Sequence, residues 1–322
     1  MPLLPGWELY DFVLRTSFLL NKLNFDLTLL TRRFESQRFK LFSNVLKILN
    51  FVNLHKENIS YFEKGKFKIV ELQQNFVLGY RDIDVLNSYF KAKEDGRICF
   101  FATKSNFFAK FQNLVFLIPF PHGIWELTDT FLGEDYAGFN VKDGVVIDVG
   151  AFIGETAIYF ATKGAKKVIA FEPAPTLFRL AQQNVKINNL QNIIQMRNEA
   201  IWGTECEKKF RFATSQPGSS SIVILNKKRQ YIEYEVKTTT LNQVIKEEGI
   251  IDLLKMDCEG AEYQILPFLQ KDGDLRNITN IILEVHGPPQ EILNILRASQ
   301  FKITRQEAYH NGAFLVSASK NA

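Results

Sequence analysis

A handful of residues in this chain are of types, and at spacings, that could do chemistry. Asp148 ends an apolar run in "VVIDVGAFIGETAIYF", and Gly150 and Gly154 follow it. Glu172, 24 residues further on, ends a second run in "VIAFEPAP", with Pro173 behind it. Asp257 ends a third in "LLKMDCEGAE", and Glu284 and His286 close a fourth in "IILEVHG". Glycines after a strand let the backbone turn and approach a ligand closely. The helix that follows offers unpaired N–H groups. An acid about 20 residues beyond such a loop suits ribose hydroxyls.

Two cofactor classes use a glycine loop with a ribose acid. A nicotinamide fold wants G-x-G-x-x-G, which Gly150-Ala151-Phe152-Ile153-Gly154 does not supply. A carboxylate just before the loop would also repel a pyrophosphate. It suits the cationic amino group and sulfonium of S-adenosylmethionine. The expected cofactor residues are Asp148, Gly150, Gly154, Glu172, Pro173, Glu199 and Asp257.

Glu284 and His286 are two apart and share a face of their strand. With Asp257 they form the expected catalytic group. His286 is the expected general base, oriented by Asp257 or Glu284, for a methyl acceptor that must lose a proton. A divalent metal held by the same carboxylates and imidazole is the other arrangement. Glu262 lies in a first helical turn, where acids also serve the helix dipole. Cys258 lacks a base-methylating context and reads as a buried small residue. Ser219, Ser220 and Ser221 form a polar turn that could line an acceptor pocket.

The elements that must position these residues alternate. "VVIDV", "KVIAF", "NIIQM", "IDLLKM" and "NIILEV" read as strands, with helices over 154–163, 175–189, 240–248, 261–270 and 289–299. Nearly continuous apolar strands alternating with helices predict an α/β fold with a parallel sheet covered on both faces. "FKIT" and "AFLVSA", separated by "HNG", predict an antiparallel last strand. In such sheets ligands bind at the carboxyl ends of the strands. Residues 200–236 read as a β-rich insertion. Upstream, 1–62 is expected to be a helical segment, 63–140 a small α+β region, and 141–322 the cofactor-binding domain.

The composition is that of an ordinary globular chain: 322 residues, 46% hydrophobic and 23% charged. The net charge of +4 is too mild to imply nucleic-acid binding by itself, but residues 1–60 carry +3 of it. This basic segment motivates nucleic-acid (RNA) methylation as an alternative, beside a non-catalytic binding protein on a decayed fold. Three scattered cysteines exclude a disulfide framework or zinc site, and a cytoplasmic setting is expected. No signal peptide is evident, and charges break the apolar stretch 9–30, so it does not read as a membrane span. Residues 31–52 pair an apolar helical face with Arg32, Arg33, Arg38, Lys40 and Lys47. That suits peripheral contact with a membrane as well as packing on the catalytic domain.

The stretches "VIDVGAFIGETAIYFATKGAKKVIAFEP", "LLKMDCEGAEYQIL" and "IILEVHG" resemble the FkbM family of methyltransferases, over roughly residues 124–318 and strongly from 144. The D-x-E-G-A-E element marks that family. The resemblance implies a Rossmann-like seven-stranded methyltransferase sheet and S-adenosylmethionine as cofactor. It also implies a glycan or other small hydroxylated acceptor. The family often has Asn where this chain has Phe152.

Overall fold

In the computed structural model, the residues described are 59–63, 66–69, 74–77, 80–103, 106–119, 122–213, 217–223, 231–309 and 312–320. The expected helix over 31–52, with its membrane reading, lies outside them. The described residues fall into two compact units, one through residue 112 with 119–125, the other 113–118 with 126–320.

The first unit holds an antiparallel sheet of β1 (Ile59–Glu63), β2 (Lys66–Ile69) and β3 (Gln74–Val77). Helix α1 (Tyr80–Asp95) follows, then the antiparallel pair β4 (Ile98–Ala102) and β5 (Phe107–Phe111). The phenylalanines here pack on one another: Phe100 stacks on Phe107 at 5.8 Å and Phe101 on Phe108 at 5.0 Å. Such ring pairs favour the hairpin register beyond their buried area.

The second unit carries β6 (Leu114–Ile118) and then the main sheet. Its strands are β7 (Val145–Val149), β8 (Lys167–Phe171), β9 (Ile194–Arg197), β13 (Ile251–Met256), β14 (Ile278–Val285), β15 (Lys302–Ala308) and β16 (Phe314–Ser319). Their order across the sheet is β15-β16-β14-β13-β7-β8-β9. The pairs among β14, β13, β7, β8 and β9 are parallel. β16 runs antiparallel to both neighbours, as the hairpin pattern predicts. The small sheet of β10 (Ala200–Ile201), β11 (Glu207–Ala213) and β12 (Tyr231–Thr239) is the β-rich insertion.

Helices α2 (Glu155–Thr162), α3 (Pro175–Ile187), α4 (Leu241–Glu248), α5 (Glu262–Asp272) and α6 (Gln290–Ala298) accompany the strands. Each starts for a local reason. Pro175 occupies the first turn of α3, where its missing N–H is no loss. Thr240 caps α4 by accepting from the Gln243 N–H. The spacing of Ile292, Leu293, Ile295 and Leu296 turns one face of α6 into the core, beside Leu266 and Leu283.

β6 is bound by side chains rather than by a ladder in the main sheet. Asn188, on the turn after α3, accepts from the Val115 N–H at 2.9 Å and donates to the Val115 carbonyl at 2.8 Å. Asn184, one turn earlier, does the same to Leu117 at 2.7 and 3.0 Å. Two amides at i, i+4 thus pair with alternate residues of a strand, and Asn184 also donates to the Ile153 carbonyl at 2.9 Å. Among the described residues, no helix is long and apolar enough to cross a membrane.

Candidate cofactor crevice and active site

Because β7, β8, β13 and β14 are parallel, Asp148, Glu172, Asp257 and Glu284 come to one edge of the sheet. The loop after β7 is held from both sides. The N–H groups of Gly150 and Ala151 donate to the Phe171 carbonyl at 3.0 and 2.9 Å. Gly150 has φ +79°, and a Cβ there would lie 1.8 Å from the Asp257 carbonyl oxygen. Gly154, at φ +82°, lets α2 begin against Ala181 of α3, whose Cβ an added Cβ would meet at 3.3 Å.

Phe152 between them also has positive φ, +47°, a conformation that Asn tolerates better than a bulky residue. Its N–H donates to Glu172 Oε2 at 3.0 Å, while Glu172 Oε1 accepts from the Ala174 N–H at 2.8 Å. The polar contact at position 152 is therefore made by the backbone and survives the exchange of Asn for Phe. Burial pushes Glu172 up to about 8, in spite of the two amides that favour its ionised form. Asn198 donates to the carbonyls of Glu172 and Pro173 at 2.9 and 3.0 Å and fixes that strand end. Glu199 follows between β9 and β10, partly buried.

Asp148 does face a cation, but one supplied by the chain itself. Lys255, its register partner on β13, places Nζ 3.0 Å from Asp148 Oδ1 and donates to the Gly150 carbonyl at 2.8 Å. Thr156 Oγ1 donates to Asp148 Oδ2 at 2.5 Å. Burial pulls the Lys255 pKa down, but the charges of Asp148, Asp257 and Glu155 outweigh it and hold the ammonium charged. Glu155, in the first turn of α2, is buried with Oε2 lacking a hydrogen-bond partner. Burial raises its pKa well above the carboxylate range. Lys255 and Thr156 bond Asp148, and Glu155 is buried in the first turn of α2 beyond the glycine loop, a polar cluster that the motifs alone do not announce.

The second cluster surrounds His286. Its Nε2 lies 3.3 Å from Glu284 Oε1, 3.7 Å from Glu259 Oε1 and 3.8 Å from Asp257 Oδ1. On the other side, Glu262 Oε1 accepts from the His286 backbone N–H at 2.6 Å and stands 3.4 Å from Nδ1. Glu262 Oε2 accepts from the Gly260 N–H at 2.9 Å, so this fully buried carboxylate joins the turn after β13 to the end of β14. Burial alone would lower the His286 pKa. Its contacts with Glu262 and Glu284, and the charges of Glu259 and Asp257, push it instead up to about 12. Asp257 is raised by burial and by Glu284.

The Cys258 thiol lies 3.5 Å from Glu262 Oε2, and burial raises its pKa well above the usual value. Cys206 is exposed, and its bond from Thr238 lowers its pKa. Iodoacetamide at pH 7, followed by peptide mass mapping, is therefore expected to label Cys206 well before Cys258. Faster labelling of Cys258 would contradict the inert assignment.

An open cleft of 610 Å³ meets this cluster at His286 and is lined also by Trp202, Lys208, Lys209, Arg211 and Tyr263. In the serine turn, Ser221 Oγ donates to the Glu259 carbonyl at 2.7 Å and Ser220 Oγ to the Pro217 carbonyl at 2.6 Å. Ser221 thus braces the turn at Glu259, and Ser220 closes the serine turn itself.

Residues 148–309 match the model of the methyltransferase FkbM domain. Methyltransferase sdnD of Sordaria araneosa is 25% identical over 195 residues, 51% of this chain and 75% of that protein. Methyltransferase 1 of Beauveria bassiana is 26% identical over 164 residues, 44% of this chain and 65% of that protein. The structure of M. capricolum TrmK with S-adenosyl-homocysteine is 16% identical, with a TM-score of 0.40, over 59% of this chain and 67% of that one. With its family domain spanning half the sequence and carrying both acid clusters, the chain belongs to the FkbM family of S-adenosylmethionine-dependent methyltransferases.

Proposed function

We propose that the protein methylates a hydroxyl of a glycan or other small hydroxylated acceptor seated in the cleft at His286. The observation that supports this reading is that His286 lines that cleft and stands 3.8 Å from Asp257, whose carbonyl abuts Gly150 of the glycine loop. The crevice fits the cofactor by its donor set. Glu172 keeps lone pairs for a ribose diol beyond its two amide bonds, and Glu155 Oε2 is a buried acceptor still without a partner. When bound, S-adenosylmethionine supplies an electrophilic methyl on a sulfonium. The chain's task is to align the acceptor oxygen with it, which can provide much of the rate. Trp202 and Tyr263 offer ring faces to a sugar, and Lys208, Lys209 and Arg211 favour an acceptor with an acidic group.

Asp257, Glu284 and His286 stand where the hydroxyl must lose its proton. The carboxylates around His286 favour its protonated form, so a carboxylate of the cluster shares the task of accepting that proton.

Calorimetry with S-adenosylhomocysteine tests the reading: binding is expected, and none in folded protein would sink it. Glu172→Ala is expected to weaken that binding by about 1–3 kcal/mol, the worth of about two hydrogen bonds. Unchanged affinity in this variant would remove Glu172 from the cofactor site.

A further inference from the structure

We infer that Asp257, Glu284 and His286 form a divalent metal site at the ends of β13 and β14. The inference deepens the methyltransferase reading of this same site, and its role in turnover rests on that reading. One ligand atom from each of the three residues lies within 4.8 Å of the others. Donors around a small divalent cation at about 2.1 Å in octahedral geometry sit about 3 Å apart. The observed Nε2 separations, 3.3 Å to Glu284 and 3.8 Å to Asp257, need only a small contraction to reach that. The Asp257 and Glu259 contacts are too long for good N–H···O hydrogen bonds. Nε2 thus points among carboxylate oxygens without being well satisfied by them.

The mixed donor set separates this cluster from a merely acidic patch. A metal-binding histidine has its other nitrogen oriented by a carboxylate, and Glu262, which fixes the His286 backbone, stands 3.4 Å from Nδ1, a buried nitrogen that has no hydrogen-bond partner as it stands. Four carboxylates surround one imidazole, so negative charge is in excess, and a metal ion would take the place of the Nε2 proton. Two carboxylates and one imidazole suit Mg²⁺ or Mn²⁺. Side-chain exposures of 31% for Asp257, 14% for Glu284 and 12% for His286 leave the cluster open on one side. His286 also lines the acceptor cleft, so a coordination position is left for the acceptor hydroxyl.

A metal-bound hydroxyl is a stronger acid. Its proton passes to a carboxylate and then to water. The oxygen forms its bond to the methyl carbon as the carbon–sulfur bond breaks, and that electron pair stays on sulfur.

Titration of the full chain with Mn²⁺, followed by the paramagnetic resonance signal of the free ion, tests the site with and without S-adenosylhomocysteine. One bound Mn²⁺ per chain is expected. Glu284→Gln and His286→Ala should each weaken it by more than about 10-fold, and Glu262→Gln by about 10–100-fold as an orienting group. S-adenosylhomocysteine affinity should stay within about 3-fold of wild type, which also shows that the variants are folded; His286→Gln or Glu284→Ala replaces any that is not. Chelation should stop turnover, and Mg²⁺ or Mn²⁺ should restore it. Two results would overturn the site: no Mn²⁺ bound at millimolar concentration while S-adenosylhomocysteine binds, or Mn²⁺ binding indifferent to these variants. The first would leave the carboxylates as a field for the sulfonium. Failure to bind S-adenosylhomocysteine at all is a separate result and counts against the methyltransferase reading.

Discussion

Lys255→Met is expected to destabilise the protein by about 3–5 kcal/mol, the cost of leaving one member of a buried ion pair alone. The lysine side chain is 2% exposed and Asp148 is fully buried. Methionine keeps much of the volume but removes both the charge facing Asp148 and the donor to the Gly150 carbonyl. Asp148 would then keep only Thr156. Urea unfolding at pH 7 measures the loss. Combining Lys255→Met with Asp148→Leu should recover part of it, because the stranded charge is gone. A wild-type midpoint in the single variant would show that Asp148 reaches solvent or a proton, and the pair would lose its structural role.

Gly150→Ala is expected to cut turnover by about 10²-fold or more, the effect of moving reacting groups by about 1 Å. A Cβ 1.8 Å from the Asp257 carbonyl cannot be absorbed by a side chain, because the collision is with backbone. The positive φ adds about 1–2 kcal/mol of its own. Either the loop after β7 or the turn after β13 must retreat, and both line the crevice. Steady-state kinetics and S-adenosylhomocysteine calorimetry on the variant would register the shift together. Normal values for both would mean that the two segments part without consequence.

The main sheet was readable because each strand is a short apolar run closed by an acid or a turn, and each helix has its own start signal. Asp148, Glu172, Asp257, Glu284 and His286 were found because parallel strands bring their carboxyl ends to one edge. What escaped depends on register and on tight turns. Lys255 in "LLKMDC" was a visible anomaly, since a strand covered on both faces rarely keeps an unpaired lysine. Its partner emerges only when β13 is set beside β7. Glu259 reaches His286 through a positive-φ turn that no periodicity encodes. Asn184 and Asn188, at the end of the helix expected over 175–189, hold β6, a pairing that helix periodicity does not encode. The raised pKa of His286 follows from carboxylates on two separate segments, so its nearest sequence neighbours do not disclose it.

The lysine bond across the sheet also sets a timetable. Gly150 and Lys255 are 105 residues apart, and the Asp257 N–H reaches back to the Val149 carbonyl at 3.0 Å. Neither bond exists until β13 has been made. A ribosome adding about 5–20 residues per second takes about 5–20 s to bridge that interval. Throughout it, β7 and its glycine loop have no neighbour on one side, and the emerging chain holds a carboxylate without its counterion. The nascent protein is therefore blind to its cofactor until the later half of its domain arrives, and a fragment ending before residue 250 should never acquire that binding.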